Sequence, residues 1–238
     1  MLRKICQGIL PPARTGGDAV LVWLKLLEKA QLLLEAAGIP DGEWSFGGGS
    51  ALALFLQHRE SQDVDIFLTD AQYLTFLSPR LNSLAARVAA DCVETASFLK
   101  LRLPEGEIDF VIAPYLTANP LLTVEIGGRH MYVETPAEIL LKKLFYRAET
   151  LKIRDVVDGA AVFAERKEEL LRYAGLLFPK LDILERRWAK LKNIYGEEIR
   201  GLRILKKNLI EEAPVLFETF LGEVRRRAEA DKMKDGAK

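Results

Sequence analysis

Asp63 and Asp65 flank a single valine and run into the apolar stretch Ile66-Phe67-Leu68. On an extended strand, residues two apart project from the same face, so this spacing predicts two carboxylates side by side. Adjacent carboxylates repel, and a shared hard cation with oxygen ligands is their natural counter-charge. Magnesium in phosphate chemistry uses one or two carboxylates together with substrate oxygens. Taken alone, the D-x-D spacing reads equally as a strand end with two solvated acids. A third acid, Asp109, lies in Glu107-Ile108-Asp109-Phe110-Val111-Ile112, where an unpaired charge among apolar neighbours is costly. If its strand lies beside that of Asp65, three carboxylates converge, as two-metal phosphoryl transfer requires. Glu107, on the same face as Asp109, competes for the third position.

Upstream of the acids, the strand-like Trp44-Ser45-Phe46 ends in Gly47-Gly48-Gly49-Ser50, and a helical stretch follows. A glycine run entering a helix lets phosphate approach the main chain, and the helix N-terminus attracts anions. Gly48, Gly49 and the hydroxyl of Ser50 are therefore candidate phosphate ligands. The alternative is a tight turn of packed glycines. No lysine follows the glycines, so this is not a Walker A loop. Further on, Lys143, Arg147, Arg154 and Asp158 would fall within roughly a 60° stripe if residues 143–158 formed one helix. Inward-facing cations there would neutralise triphosphate charge and hold leaving pyrophosphate, with Asp158 orienting Arg154. The same stripe also fits a surface helix laced by charge pairs, and Ile153 suggests a break. His58 reads as a packing or capping residue. Arg59 and Ser61 read as holding the turn before Asp63, with Arg59 also within reach of phosphate.

These residues need a scaffold. The spacing predicts a helix from Asp18 to Ala37 stopped by Gly38 and Pro40, and a helix from Ala51 to Gln57. It predicts strands at Val64–Leu68, Ala96–Leu103 and Glu107–Ala113, with residues 70–90 mostly helical. Thr123–Ile126 and His130–Val133 read as a hairpin, and the chain is helical after Pro136. Strands first and helices later imply an α/β (α+β) fold with a mixed sheet, a core over residues 1–160 and a helical domain over 161–238. Nearly half of the 238 residues are hydrophobic, enough for a sizeable core. Basic and acidic residues balance at 34 each, so overall charge argues for neither a nucleic-acid nor a membrane partner. The densest basic cluster is Arg225-Arg226-Arg227, read as a solvated helix face or, less directly, an RNA surface. No apolar run approaches the roughly 20 residues that span a bilayer, the start carries no recognisable signal peptide, and Cys6 and Cys92 have no metal-ligand spacing. A cytoplasmic protein with free thiols is the expectation.

Two blocks carry a family resemblance. Gly48-Gly49-Ser50-Ala51-Leu52, then His58-Arg59-Glu60-Ser61-Gln62-Asp63-Val64-Asp65-Ile66-Phe67, resembles the AbiEii/AbiGii-type nucleotidyltransferase toxins. Lys143 to Arg147 followed by Arg154-Asp155-Val156-Val157-Asp158 is similar to the family's second block. The resemblance spans about Trp44 to Val162 and implies the nucleotidyltransferase fold. It also implies transfer of a nucleotide from a nucleoside triphosphate, with magnesium (or manganese) as cofactor. The implied acceptor is RNA, most directly tRNA ends, in a toxin–antitoxin or phage-abortive system with a cognate antitoxin. Carried over by position, Asp63, Asp65 and Asp109 are metal ligands, and Lys143, Arg154 and Asp158 join them as catalytic residues. Gly48, Gly49, Ser50, Arg59, Lys143 and Arg147 bind nucleotide. Two rivals are an antibiotic-type small-molecule adenylyltransferase and a non-catalytic nucleotide-binding relic.

Overall fold

In the computed structural model, which describes residues 17–235, helix α1 (Gly17–Ala36) buries Trp23, Leu26, Leu27, Ala30, Leu33 and Leu34. These positions recur every three or four residues, the spacing of one helix face. Gly38, at φ 68°, ends it. Cys6 and the start read as lacking a signal peptide lie outside the described residues.

The chain divides into two compact units, one formed by residues 17–55, 61–115 and 121–135, the other by 56–60, 116–120 and 136–235. The division falls at Pro136, ahead of the boundary near residue 160 that the sequence suggests.

In the first unit, β1 (Trp44–Gly47) leads directly into α2 (Gly48–Leu56), and β2 (Val64–Leu68) carries the second aspartate. Then come α3 (Gln72–Leu77), α4 (Ser83–Val88), β3 (Asp91–Glu94), β4 (Phe98–Leu103), β5 (Gly106–Ile112), β6 (Leu121–Ile126) and β7 (Arg129–Glu134). The strands form one mixed sheet in the order β3-β4-β5-β2-β1-β7-β6, with β2/β5 and β1/β7 parallel. Along β2, Val64, Ile66 and Leu68 are buried, while Asp65 and Phe67 between them are half-buried. Alternation of this kind gives a sheet one apolar face and one polar face. α1 packs against β2 and β5.

Residues 70–90 are mostly helical, as expected, but in two short helices: Pro79 follows α3, and Asn82 starts α4 anew by accepting hydrogen bonds from Leu84 N and Ala85 N. β3 escapes a periodicity search because Asp91, Cys92 and Val93 are all exposed and show no alternation.

The second unit contains α5 (Pro136–Tyr146), α6 (Ile153–Arg172), α7 (Leu181–Lys192), α8 (Tyr195–Glu198) and α9 (Leu209–Asp235). Lys143 to Asp158 is not one helix: the break that Ile153 suggests is present, and the segment divides into α5, a 3-10 turn at Ala148–Thr150, and α6, which starts at Ile153. Asp155 closes the N-terminus of α6 by accepting from Lys152 N at 3.0 Å. α6 packs along α9, where the Phe217 ring meets Trp188 edge-on and lies tilted against Phe220.

The α6–α9 contact requires a missing side chain at Gly159, where a Cβ would lie 2.8 Å from the ring of Phe217. Gly159→Ala should cost about 1–3 kcal/mol by overpacking. Gly196→Ala, where a Cβ meets nothing within 4 Å, should leave stability within about 0.5 kcal/mol. Urea unfolding of the two variants checks the difference.

Candidate active site

Sheet register brings the acids together. Gly47 on β1 is paired with Asp65 on β2, Asp65 with Asp109 on β5, and Asp109 with Lys100 on β4. Directly paired residues on neighbouring strands face the same side, so these four form one row. One step along the sheet, Glu107 is paired with Arg102, and Asp63 Oδ1 accepts from Glu107 N at 3.3 Å. Glu107 and Asp109 share this face, as their spacing requires, but only Asp109 is in register with Asp65. Glu107 instead faces Lys100 and Arg102.

Burial, then the nearby Asp65 carboxylate, push the Asp109 carboxyl up to about 6, against the pull of Lys100. Its Oδ2 accepts from Lys100 Nζ at 3.0 Å, whereas its Oδ1 is buried without a hydrogen-bond partner. A buried orphan oxygen costs free energy unless something else satisfies it. With Asp65 alongside, a hard cation fits this donor set. Among the described residues no three metal-ligating side chains are yet drawn around one point. Asp63 Oδ1 is held by a backbone N–H and Asp109 Oδ2 by Lys100.

The glycine run acts on this row directly. Gly48 has φ 70°, and a Cβ there would lie 1.8 Å from Asp65 Oδ2, so the residue must be left-handed and bare at once. α2 starts at Gly48 rather than Ala51, so its first turn presents the N–H groups of Gly48, Gly49 and Ser50. The first N–H groups of a helix have no partner within it and suit phosphate oxygens. Ser50 departs from its expected role: it is fully buried, and its hydroxyl donates to Asp63 O at 2.5 Å. It ties the loop to the D-x-D segment.

In the second unit, Asp158 is fully buried and holds three partners. Arg59 donates through Nε to Oδ1 at 2.6 Å and through Nη2 to Oδ2 at 2.9 Å; Lys143 Nζ donates to Oδ2 at 2.5 Å; His58 Nε2 lies 2.7 Å from Oδ1. The sequence reading paired Asp158 with Arg154. Arg59 takes that place because residues 58–60 pair with 203–205, through Glu60 N to Arg203 O and Leu205 N to His58 O. Arg154 is half-buried on α6, and Arg147 lies 3.9 Å from Asp155. Burial alone would raise the Asp158 carboxyl, but Arg59 and Lys143 outweigh it and hold it well below the usual carboxylate range. Burial pushes His58 down despite Asp158. Its Nδ1 is buried without a partner, so a neutral ring donating from Nε2 fits the site. The cluster then keeps one net positive charge.

The basic tail is already engaged. Arg225 pairs with Asp182 and Glu185, Arg226 with Glu223, and Arg227 donates to Leu171 O. Arg225 and Arg227 thus tie α9 to neighbouring helices, whereas Arg226 pairs within α9 and stays exposed. Cys92 is a free, exposed thiol, and among the described residues no helix is long and apolar enough to cross a membrane.

A mixed sheet carrying paired acids beside a glycine turn into a helix, with a helical unit following, defines a nucleotidyltransferase. Residues 31–233 match the nucleotidyl transferase AbiEii toxin family of type IV toxin–antitoxin systems, and the chain belongs to that family. Among solved structures, MenT4, a nucleotidyltransferase toxin from Mycobacterium tuberculosis H37Rv, is 17% identical with a TM-score of 0.50, covering 89% of this chain and 87% of its own. That likeness shows the shared fold. A weaker likeness is to ANT(2")-Ia in complex with adenylyl-2"-tobramycin, 13% identical with a TM-score of 0.48, covering 68% of this chain and 97% of that one. No curated protein sequence matches.

Gly48→Ala should cost more than the roughly 1–2 kcal/mol of a forced left-handed residue, because it also displaces Asp65. Gly38→Ala, with a similar φ of 68° and nothing within 4 Å, isolates the conformational part. Chemical denaturation should rank Gly48→Ala below Gly38→Ala, and only the former should impair triphosphate binding. The Asp158 cluster makes a pH prediction. The folded His58 resists the proton that the unfolded chain takes up near pH 6.5, so stability falls as pH drops below 6.5. The Asp158 contribution, present above about pH 4, is lost only at lower pH. Between pH 7.5 and 5.5 the wild type should therefore lose about 1 kcal/mol more than His58→Gln, measured by denaturant midpoints at each pH.

Proposed function

We propose that the carboxylate row binds magnesium with a nucleoside triphosphate and transfers the nucleotidyl group to an RNA acceptor, most directly a tRNA end, in the cytoplasm. The observation that carries this is the register of Asp65 with Asp109, the latter with a buried orphan oxygen, next to the bare N-terminus of α2. Asp63, Asp65 and Asp109 would hold the ion, which supplies Lewis-acid polarisation of the phosphate being attacked; manganese would serve the same donors. The backbone N–H groups of Gly48, Gly49 and Ser50 take phosphate oxygens. In the transfer, the acceptor hydroxyl oxygen bonds to the α-phosphorus and the bond to the bridging oxygen breaks. Pyrophosphate leaves, and the hydroxyl proton passes to Asp109. The family pattern assigns Lys143, Arg147, Arg154 and Arg59 to the nucleotide. Lys143 and Arg59 are in addition fixed by Asp158, as positioned cations rather than flexible ones.

The RNA acceptor rests on membership of a toxin family, which also supports an antitoxin partner. Balanced charge gives little long-range attraction for RNA, so binding would rely on local contacts and weaken with added salt.

Triphosphate binding should require a divalent ion and fall at least about tenfold in Asp65→Asn, as expected when a buried charge partner of the cation is removed. Calorimetric titration with and without magnesium reads this directly. Equal affinities in both conditions would remove the acids from the site. Labelled triphosphates incubated with total RNA should label RNA in the wild type and not in Asp63→Ala, and induced expression should slow bacterial growth only in the wild type. Labelling of an antibiotic-type small molecule in place of RNA would make this a small-molecule adenylyltransferase.

A further inference from the structure

The carboxylate face carries a cation of its own. Lys100 is the cross-strand partner of Asp109, so backbone register, rather than a chance surface approach, holds it there. Its Nζ lies 3.0 Å from Asp109 Oδ2 and also donates to Glu107 Oε2. Arg102 cannot substitute for it, because it lies one row away, engaged by Asp91 and Glu107. The result is a site with hard oxygen donors whose third carboxylate is already neutralised on one side. A divalent ion reaching Asp109 Oδ1 would sit on a carboxylate whose other oxygen holds an ammonium, and like charges this close repel strongly at a partly buried site.

We propose that Lys100 is the resident counter-cation of the nucleotidyl-transfer site and competes with the metal for Asp109. Free divalent ions are held off, and the ion enters with the triphosphate, whose several negative charges compensate both the ion and the ammonium. Lys100 thereby makes metal uptake depend on nucleotide. It is a positioning residue that acts through Asp109, and this role rests on the nucleotidyl-transfer reading above.

The test is manganese binding to the full-length protein, followed by the paramagnetic resonance signal of free Mn2+, with and without a non-hydrolysable triphosphate analogue. Without nucleotide, Lys100→Met should bind Mn2+ at least about tenfold tighter than wild type, the scale expected when a neighbouring like charge is deleted. Lys100→Arg, which keeps the charge, should stay as weak as wild type. With the analogue present, wild type and Lys100→Met should differ by less than about threefold, since the triphosphate compensates the ammonium. Thermal unfolding checks that Lys100→Met is folded, and Lys100→Gln carries the same comparison if it is not. Equal nucleotide-free affinities, with Mn2+ bound by both proteins once the analogue is added, would overturn the role of Lys100 and leave the nucleotidyl-transfer reading standing. Failure of wild type and variant alike to bind Mn2+ even with the analogue would overturn both.

Discussion

Two carboxylates on neighbouring strands, in register and partly buried, repel one another, and the architecture of the first unit is arranged around that repulsion. Asp65 and Asp109 face each other because β2 and β5 run parallel with residue 65 opposite 109. The surroundings then restrict what may stand nearby. Gly48 must lack a side chain to leave room for Asp65, Ser50 anchors the preceding aspartate by its carbonyl, and Lys100 neutralises one oxygen of Asp109. Asp109 Oδ1 remains buried without a hydrogen-bond partner. A site left with one unsatisfied hard donor beside a second carboxylate is poised for a cation, and the charge that would be a liability in a passive sheet becomes binding capacity.

The second unit meets the converse problem. Asp158 is a fully buried carboxylate, and it is tolerated because the neighbours His58 and Arg59 from one stretch of chain and Lys143 from another converge on it. Removing one partner of such a buried cluster is costly, since the remaining charges cannot be rehydrated. The cluster is therefore rigid, and the two cations that the family pattern associates with nucleotide are also structural. At the surface, Arg225 of α9 likewise meets two carboxylates of α7, while Arg226 pairs with a neighbour on its own helix.

Where function and local chemistry coincide, the sequence was legible. The alternation of Val64-Asp65-Ile66-Phe67-Leu68 shows a strand with acids on the open face, and a glycine run entering a helix shows a turn built for close approach. The α/β layout with a helical C-terminal region follows from the same periodicities. Less legible were elements stabilised by partners far along the chain. β3 has no apolar alternation because it is an exposed edge strand held by β4. The break between Lys143 and Asp158 is suggested by Ile153, but the cap that Asp155 places on α6 is not displayed by helical spacing alone.

By itself, then, the sequence determined the chemical inventory: which carboxylates share a face, where glycines allow close approach to the backbone, and that strands precede helices. These properties are local, set by side-chain period and by the steric demands of glycine and proline. Tertiary structure alone decided the pairings. It chose Asp109 over Glu107 by one step of strand register, gave Asp109 the ammonium of Lys100, and gave Asp158 to Arg59 rather than to Arg154 four residues away. Each choice depends on which distant segment packs alongside, and neither spacing nor charge encodes that, because many pairings are locally equivalent until the core selects one.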